Sequence, residues 1–161
     1  MRKVSELRIG ADATPPTAEV PWASALNATV ECDEISVTLL ALDVVDDLLR
    51  LTGVIRVGDR PDIRVASIPS LEIVFPDGMP LPMVDAHLMP HGRLAWTSWT
   101  YERPAVVPER LEATISHIVF EYRGTRTARL DVEGPWSFSL VVRPPALLAV
   151  ADRVEGNVGR N

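Results

Sequence analysis

The sequence predicts an all-β protein with the architecture of an antiparallel β-sandwich. Short runs in which apolar and polar residues alternate recur along the chain, and clusters of Gly, Pro and Asp separate them. The clearest run closes the pattern, where Trp136, Phe138 and Leu140 alternate with small or polar residues. No sustained period of 3.6 residues occurs before Ala146. Many short strands with frequent turns are typical of a sandwich.

Each strand is predicted from its own alternation and from the turn residues at its ends. The expected strands cover 26–31, 35–45, 48–57, 63–68, 71–75, 81–88, 93–101, 111–122, 128–132 and 136–142, with a further short strand near 7–10. Acidic turns separate the first three of the main strands, which predicts a meander. The domain is expected to span 22–145, between an N-terminal arm at 1–21 and a tail at 146–161 that begins with a short helix.

Two local signals refine this pattern. Pro76, Asp77 and Gly78 suit a tight turn and predict a hairpin between the strands that flank them. In the strand at 111–122 the apolar positions change parity, so a β-bulge near Ser116 and His117 is expected to keep both sets of side chains on the core.

Composition excludes several classes of function. The formal net charge is −6 and the basic residues are scattered, so nucleic acid is not an expected partner. The longest apolar runs are too short to cross a bilayer, and no apolar stretch of a signal peptide follows the basic N-terminus. Cys32 is the only cysteine and cannot form an internal disulfide. These features predict a cytoplasmic protein without a membrane span.

The residues that could act in catalysis or metal binding are better explained by structural roles. His87 and His91 lie four positions apart in a region that Pro90 and Gly92 keep from being helical, and on a strand that separation spans about 13 Å. Other titratable candidates are His117, the aspartates at 43, 46 and 47, and the glutamates at 102 and 109, none of which has the spacing of a known site. We therefore predict no catalytic residue, no metal and no cofactor.

Four segments, in this order, resemble a known kind of domain. They are Leu-Glu-Ile-Val-Phe-Pro-Asp-Gly at 71–78, Trp-Thr-Tyr at 99–101, the Pro-bounded loop at 103–111, and Gly-Pro-Trp-Ser-Phe-Ser-Leu at 134–140. The pattern resembles an uncharacterised actinobacterial β-sandwich domain, similar to the immunoglobulin-like extracytoplasmic domain of anti-sigma-factor-type membrane proteins. The resemblance implies an immunoglobulin-like layout over about 25–142 and supplies no catalytic residues.

Two tryptophans on one strand are the only indication of a functional surface. Trp96 and Trp99 have opposite parity, so a regular strand cannot point both into one core. The family pattern implies that Trp99 and Tyr101 point inward, which leaves Leu94 and Trp96 facing outward beside Met83 or Met89 on a neighbouring strand. Three alternatives are open for this strip: packing under the N-terminal arm or another loop of the same chain, a protein interface, or a small ligand or glycan. The candidate interface residues are Trp96, Leu94, Trp99, Met83 and Met89.

The sequence thus favours a non-catalytic protein-binding or assembly module. A homo-oligomer formed through the strand at 93–101 is the first partner expected, because free edges and an exposed Trp need cover. Another protein is the second. A carbohydrate- or small-ligand-binding sandwich and an enzyme with an unrecognised site are the alternatives.

Overall fold

The computed structural model describes residues 21–124 and 128–143, which form nine β-strands. The strands are β1 (Trp22–Cys32), β2 (Ile35–Val45), β3 (Leu48–Val57), β4 (Ile63–Val65), β5 (Leu71–Val74), β6 (Met83–His91), β7 (Leu94–Glu102), β8 (Arg110–Tyr122) and β9 (Arg129–Val141). All pairings are antiparallel, so the all-β prediction is confirmed. The expected strand near 7–10 and the helix after 146 lie outside the described residues. Nowhere in the described ranges is there a helix with the length and apolar character to span a membrane.

The strands form two sheets. The first has five strands in the order β1-β2-β3-β7-β6, so the predicted meander of the first three strands is confirmed. In the second sheet β9 pairs along nearly all of β8, from Arg110 to Glu121. Strands β4 and β5 therefore share the other edge of β8, where β5 pairs near its start and β4 near its end.

The core lies between the two sheets and includes apolar side chains from both. Three buried aromatic side chains also donate hydrogen bonds to backbone carbonyls of the opposite sheet or its connections. Trp99 Nε1 donates to Pro69 O at 2.8 Å, Trp136 Nε1 to Ile35 O at 3.1 Å, and Tyr101 Oη to Leu71 O at 2.5 Å. Burial raises the pKa of Tyr101 above its ordinary value, because the low-dielectric core disfavours the phenolate. Two antiparallel sheets that share one core are consistent with the predicted β-sandwich.

The predicted turn at 76–78 forms and closes a short hairpin. Asp77 Oδ1 accepts a hydrogen bond from Met79 N at 3.0 Å, and Gly78 adopts a positive φ of 84°. Beyond the turn, the chain folds back on β5, where Val74 and Pro80 form an antiparallel bridge. The hairpin is short because β6 then pairs with β7 in the five-stranded sheet, whereas β5 pairs with β8 in the four-stranded sheet. Turn chemistry sets the local reversal and not the sheet in which the next strand pairs.

Strands β6 and β9 continue through positions at which the sequence predicts an end or a break. Strand β9 runs without interruption through Gly134 and Pro135, where the sequence predicts a break; their peptide bond is cis. Strand β6 includes Pro90, which is tolerated because β6 is an edge strand and its partner lies on one side only.

The predicted β-bulge is confirmed in the pairing of β8 with β9. The register shifts between Ile115 and His117, and Ile115 and Ile118 are both fully buried. Gly134 and Pro135 of β9 lie opposite a single residue of β8, so the extra residue belongs to β9. The change of parity along β8 located the irregularity but not the strand that carries the extra residue.

Candidate binding face on the five-stranded sheet

Strand β7 divides its two tryptophans between the core and the surface. Trp99 and Tyr101 are 0% and 1% exposed, whereas Trp96 is 47% exposed. The prediction that Trp96 faces outward and Trp99 inward is confirmed. Trp99 cannot contribute to a surface as a candidate interface residue, because its indole is enclosed by the core and bonded to Pro69. Strict alternation along β7 is the reason for both outcomes.

Trp96 lies in a row of side chains that crosses all five strands. Its direct neighbours are Met89 on β6 and Val54 on β3. Val54 is opposite Thr38 on β2, and Thr38 is opposite Thr29 on β1. The hydroxyls of Thr29 and Thr38 are hydrogen-bonded at 2.8 Å. Met89 is 67% exposed, so an indole and a thioether lie side by side at the open edge of the sheet.

The next row has smaller side chains. It consists of His87, Ser98, Thr52, Ala41 and Ala25, in order from β6 to β1. We call the outer side of these two rows the Trp96 face. Its ten residues include no Asp, Glu, Lys or Arg. With strands about 4.8 Å apart, the face is roughly 20 Å wide. It is an uncharged surface with one large aromatic side chain.

Charged residues flank the Trp96 face at both ends of the strands. Beyond the Trp96 row, half-buried Leu94 lies between His91 and Arg56. Beyond the second row, Arg50 is paired with Asp43 at 3.1 Å, and Asp85 Oδ2 lies 2.8 Å from His87 Nε2. Leu94 therefore lies at the edge of the Trp96 face, as the sequence predicts. Charged side chains border the face at both ends.

Met83 does not lie beside Trp96. It is opposite Tyr101, near the other end of β7, although it is 47% exposed. The register of β6 shifts between Met83 and Asp85, which places Met83 on the parity of the core-facing residues of β7. Of the two methionines expected near Trp96, only Met89 is its neighbour.

Sequence reasoning missed most of the Trp96 face. Val54, Thr38 and Thr52 belong to ordinary alternating strands, and nothing in their local pattern connects them with Trp96. The predicted meander implied that β2 and β3 are adjacent. The pairing of β3 with β7, across about 40 residues of intervening chain, had no local signal.

The other candidate residues are dispersed. His87 and His91 lie on β6, whereas His117 lies on β8 opposite Glu133 in the second sheet. Asp46 adopts the positive φ of a turn residue, at 51°. Within residues 21–124 and 128–143, no group of three or more His, Cys, Asp or Glu side chains is arranged to hold a metal ion.

Two shallow clefts lie near the end of the sandwich that carries the turn at 33–34. One, of about 330 Å³, is lined by Asp33, Ile35, Arg60, Ile63 and residues 130–133. There Arg60 donates hydrogen bonds to Asp62 and so lowers the pKa of that carboxyl. The other, of about 310 Å³, is lined by Glu31, Glu34, Ser36, Arg56, Gly58, Asp59 and Arg93. Neither cleft includes Trp96.

The geometry of the Trp96 face therefore has to be interpreted from its own residues. Comparison with protein-family models and with curated proteins finds no match for this chain. The resemblance to immunoglobulin-like domains of anti-sigma-factor-type proteins stays a prediction.

Proposed function

We propose that the protein is a non-catalytic binding module that uses the Trp96 face to bind another protein surface. One observation carries the proposal: Trp96 is half exposed in an uncharged face, on a strand whose alternate side chains are fully buried. The binding residue is thus held on a rigid part of the fold, and little conformational entropy would be lost on association.

The chemistry of the row suits a protein interface. Trp and Met are enriched at interfaces, and Trp is among the residues whose truncation costs most binding energy. Met89 beside Trp96 adds a flexible apolar side chain that can adapt to a partner. Charged residues at the limits of the face, such as Arg56 and Asp85, would form the polar rim that usually surrounds an interface core.

The shape of the face favours a protein over a small molecule. Small-ligand sites are concave and enclose most of the ligand, whereas these two rows lie on the outside of a sheet. The two clefts described above have charged walls and do not include Trp96. A partner with its own flat surface would contact more of the face than a metabolite could.

A carbohydrate is the second candidate, because hydroxyl groups surround the indole. Ser98, Thr52 and Thr38 lie on the same face as Trp96, and an aromatic ring beside hydroxyls can stack on and hydrogen-bond to a sugar. Titration of Trp96→Ser and wild-type protein with a glycan panel, monitored by tryptophan fluorescence, tests this candidate. A saturable change seen only in the wild type would support the carbohydrate over a protein partner.

We place this activity in the bacterial cytoplasm. The support is the single cysteine, Cys32, which is half buried and has no second cysteine with which to form an internal disulfide. Cell fractionation followed by immunodetection would test the assignment.

The binding proposal is tested by affinity capture from lysate of the source cell with three forms of the full-length chain. Wild type and Val141→Ser are expected to retain the same stoichiometric partner, because Val141 is 52% exposed on the opposite face of the molecule. Trp96→Ser is expected to lose that partner. Circular dichroism and thermal unfolding of all three forms check that the fold is retained.

Capture of the same proteins by Trp96→Ser and by wild type would contradict the proposal. So would the absence of any stoichiometric partner, including a second copy of the chain.

A further inference from the structure

We propose that the Trp96 face packs against the same face of a second copy of this chain, related by a two-fold axis in the plane of the interface and perpendicular to the strands. The inference rests on the proposed function and names the partner. In this arrangement each strand of the five-stranded sheet lies over its own copy, running in the opposite direction.

The two rows of the face are complementary in size under this symmetry. Reversal of the strands places each row over the other row of the partner. Trp96 then lies over the partner's Ser98, and Thr38 over the partner's Ala41, so the larger side chain meets the smaller one at both positions. Packed sheets need such interdigitation to fill the roughly 10 Å between them.

The charges at the two ends also complement each other. His91 belongs to the row beyond Trp96, and Asp85 to the row beyond Ser98, both on β6. Reversal brings His91 of one copy to the partner's Asp85, and the same contact occurs twice across the axis. It also places Arg56 over the partner's Arg50, whose charge is compensated within its own chain by Asp43.

An axis parallel to the strands is the alternative in-plane symmetry. Because β3 is the central strand of the sheet, Arg56 would then face Arg56 of the partner subunit, and His91 would face the partner's Glu31. Arginines of β3 meet in both arrangements, so these charges do not distinguish the two symmetries. The reversed arrangement is preferred because the parallel axis would place Trp96 over the partner's Thr38, which is larger than serine.

The area indicates a reversible dimer. The interface would include the two rows of the Trp96 face and the flanking row at each end. These four rows, spaced about 7 Å apart across five strands, cover roughly 600 Å² of each copy. This lies between the roughly 400 Å² per partner of large crystal contacts and the roughly 800 Å² of a standard stable interface. The dimer should therefore dissociate on dilution.

The test is sedimentation velocity over a concentration series of the full-length chain. Wild type is expected to shift from one to two chain masses as concentration rises, and Trp96→Ser to stay at one. Asp85→Arg and His91→Glu are each expected to weaken dimerisation at least tenfold, because each brings like or unpaired charges together twice. Ser137→Arg, on the outer face of the other sheet, is the control and should dimerise as wild type does.

The double variant Asp85→Arg/His91→Glu decides the orientation. The two positions are six residues apart on one strand, about 20 Å, so they cannot compensate each other within one chain. Recovery of wild-type dimerisation by the double variant would show that they face each other between copies. A double variant as weak as the single ones overturns the proposed symmetry.

A wild-type chain that remains a monomer at roughly 1 mM overturns the dimer altogether. The binding module of the previous section would still stand if affinity capture retained a different protein through Trp96. Cover of the face by residues 1–20 or 144–161 of the same chain would also give a monomer and would count against the dimer.

Discussion

The outer faces of the two sheets differ in charge. The outer face of the four-stranded sheet carries ionisable side chains along its whole length, namely Arg64, Glu72, Arg110, Glu112, Glu121, Arg129, Asp131 and Glu133. Arg64 is paired with Glu121, and Ser139 donates to Glu112 at 2.7 Å. The five-stranded sheet instead keeps its charges at the ends of the strands and has Trp96 near the middle. Both sheets contribute buried apolar side chains to the core.

We propose that the two outer faces serve different purposes. A charged, hydrogen-bonded surface stays hydrated and discourages association with other molecules. An uncharged surface with an exposed Trp has no role in the core of its own chain and lowers solubility. We therefore associate the five-stranded sheet with binding and the four-stranded sheet with solubility.

The largest expected difference in stability is between substitutions on the inner and outer sides of β7. Trp99→Ala should lower the free energy of unfolding by about 3–5 kcal/mol, because it leaves a cavity and an unpaired Pro69 carbonyl. Trp96→Ala should cost about 1 kcal/mol, since half of its side chain is already in water. Urea unfolding at low micromolar concentration measures both. Equal losses would mean that Trp96 is a structural residue and that the faces do not differ in purpose.

A smaller effect compares the two sheets directly. Each sheet has a glycine whose missing side chain makes room for a buried tryptophan. A Cβ on Gly134 would lie 2.7 Å from Trp136 Cε3, and a Cβ on Gly53 would lie 3.2 Å from Trp99 Cζ3 and 2.9 Å from Thr38 O. Gly134→Ala should destabilise by about 1–3 kcal/mol, and Gly53→Ala by less. The reverse order in chemical unfolding would show that the five-stranded sheet is the more tightly packed.

A third substitution, on the inner side of β7, is expected to stabilise the fold and not to destabilise it. Thr97 Oγ1 is buried and has no hydrogen-bond partner among the described residues, whereas Thr100 lies on the outer side of the same strand. Thr97→Val should stabilise the fold by about 1 kcal/mol, because it removes an unsatisfied polar atom at nearly constant volume. Thr100→Val is the matched control and should change stability by less than about 0.5 kcal/mol. Destabilisation by Thr97→Val, measured by thermal unfolding, would indicate a buried partner for this hydroxyl.

The smallest effect concerns one ion pair on each outer face. The pairs Asp43–Arg50 and Arg64–Glu121 have similar exposure, so their coupling energies in double-mutant cycles should both be about 0.2–1 kcal/mol and fall in high salt. A much stronger pair on the four-stranded sheet would mean that its charges hold the fold together and do more than keep the surface hydrated.

Much of the strand pattern could be predicted because alternation is a local property. The bounds of β2 and β3, the bulge in the pairing of β8 with β9 and the outward orientation of Trp96 follow from which neighbouring residues can share one face of a strand. The break expected at Gly134 and Pro135 did not occur, because the room that Gly134 leaves for Trp136 depends on the packing between strands. Local turn propensity cannot contain that information.

The candidate face was predicted in part. Trp96, Leu94 and Met89 were identified, but Met83 was misplaced because a register shift in β6 depends on its pairing with β7. Val54, Thr38 and Thr29 were missed because they join Trp96 only through strands that are distant in sequence.

By itself, then, the sequence determined that the chain forms strands, which side chains each strand buries, and that one of two neighbouring tryptophans must face outward. Only the tertiary structure decided which strands are neighbours and in what register, and so placed Trp96 in an uncharged face and not among the charges of the other sheet. The physical reason is that side-chain alternation is set by the backbone of one strand, whereas register is set by hydrogen bonds and packing between strands far apart in the chain.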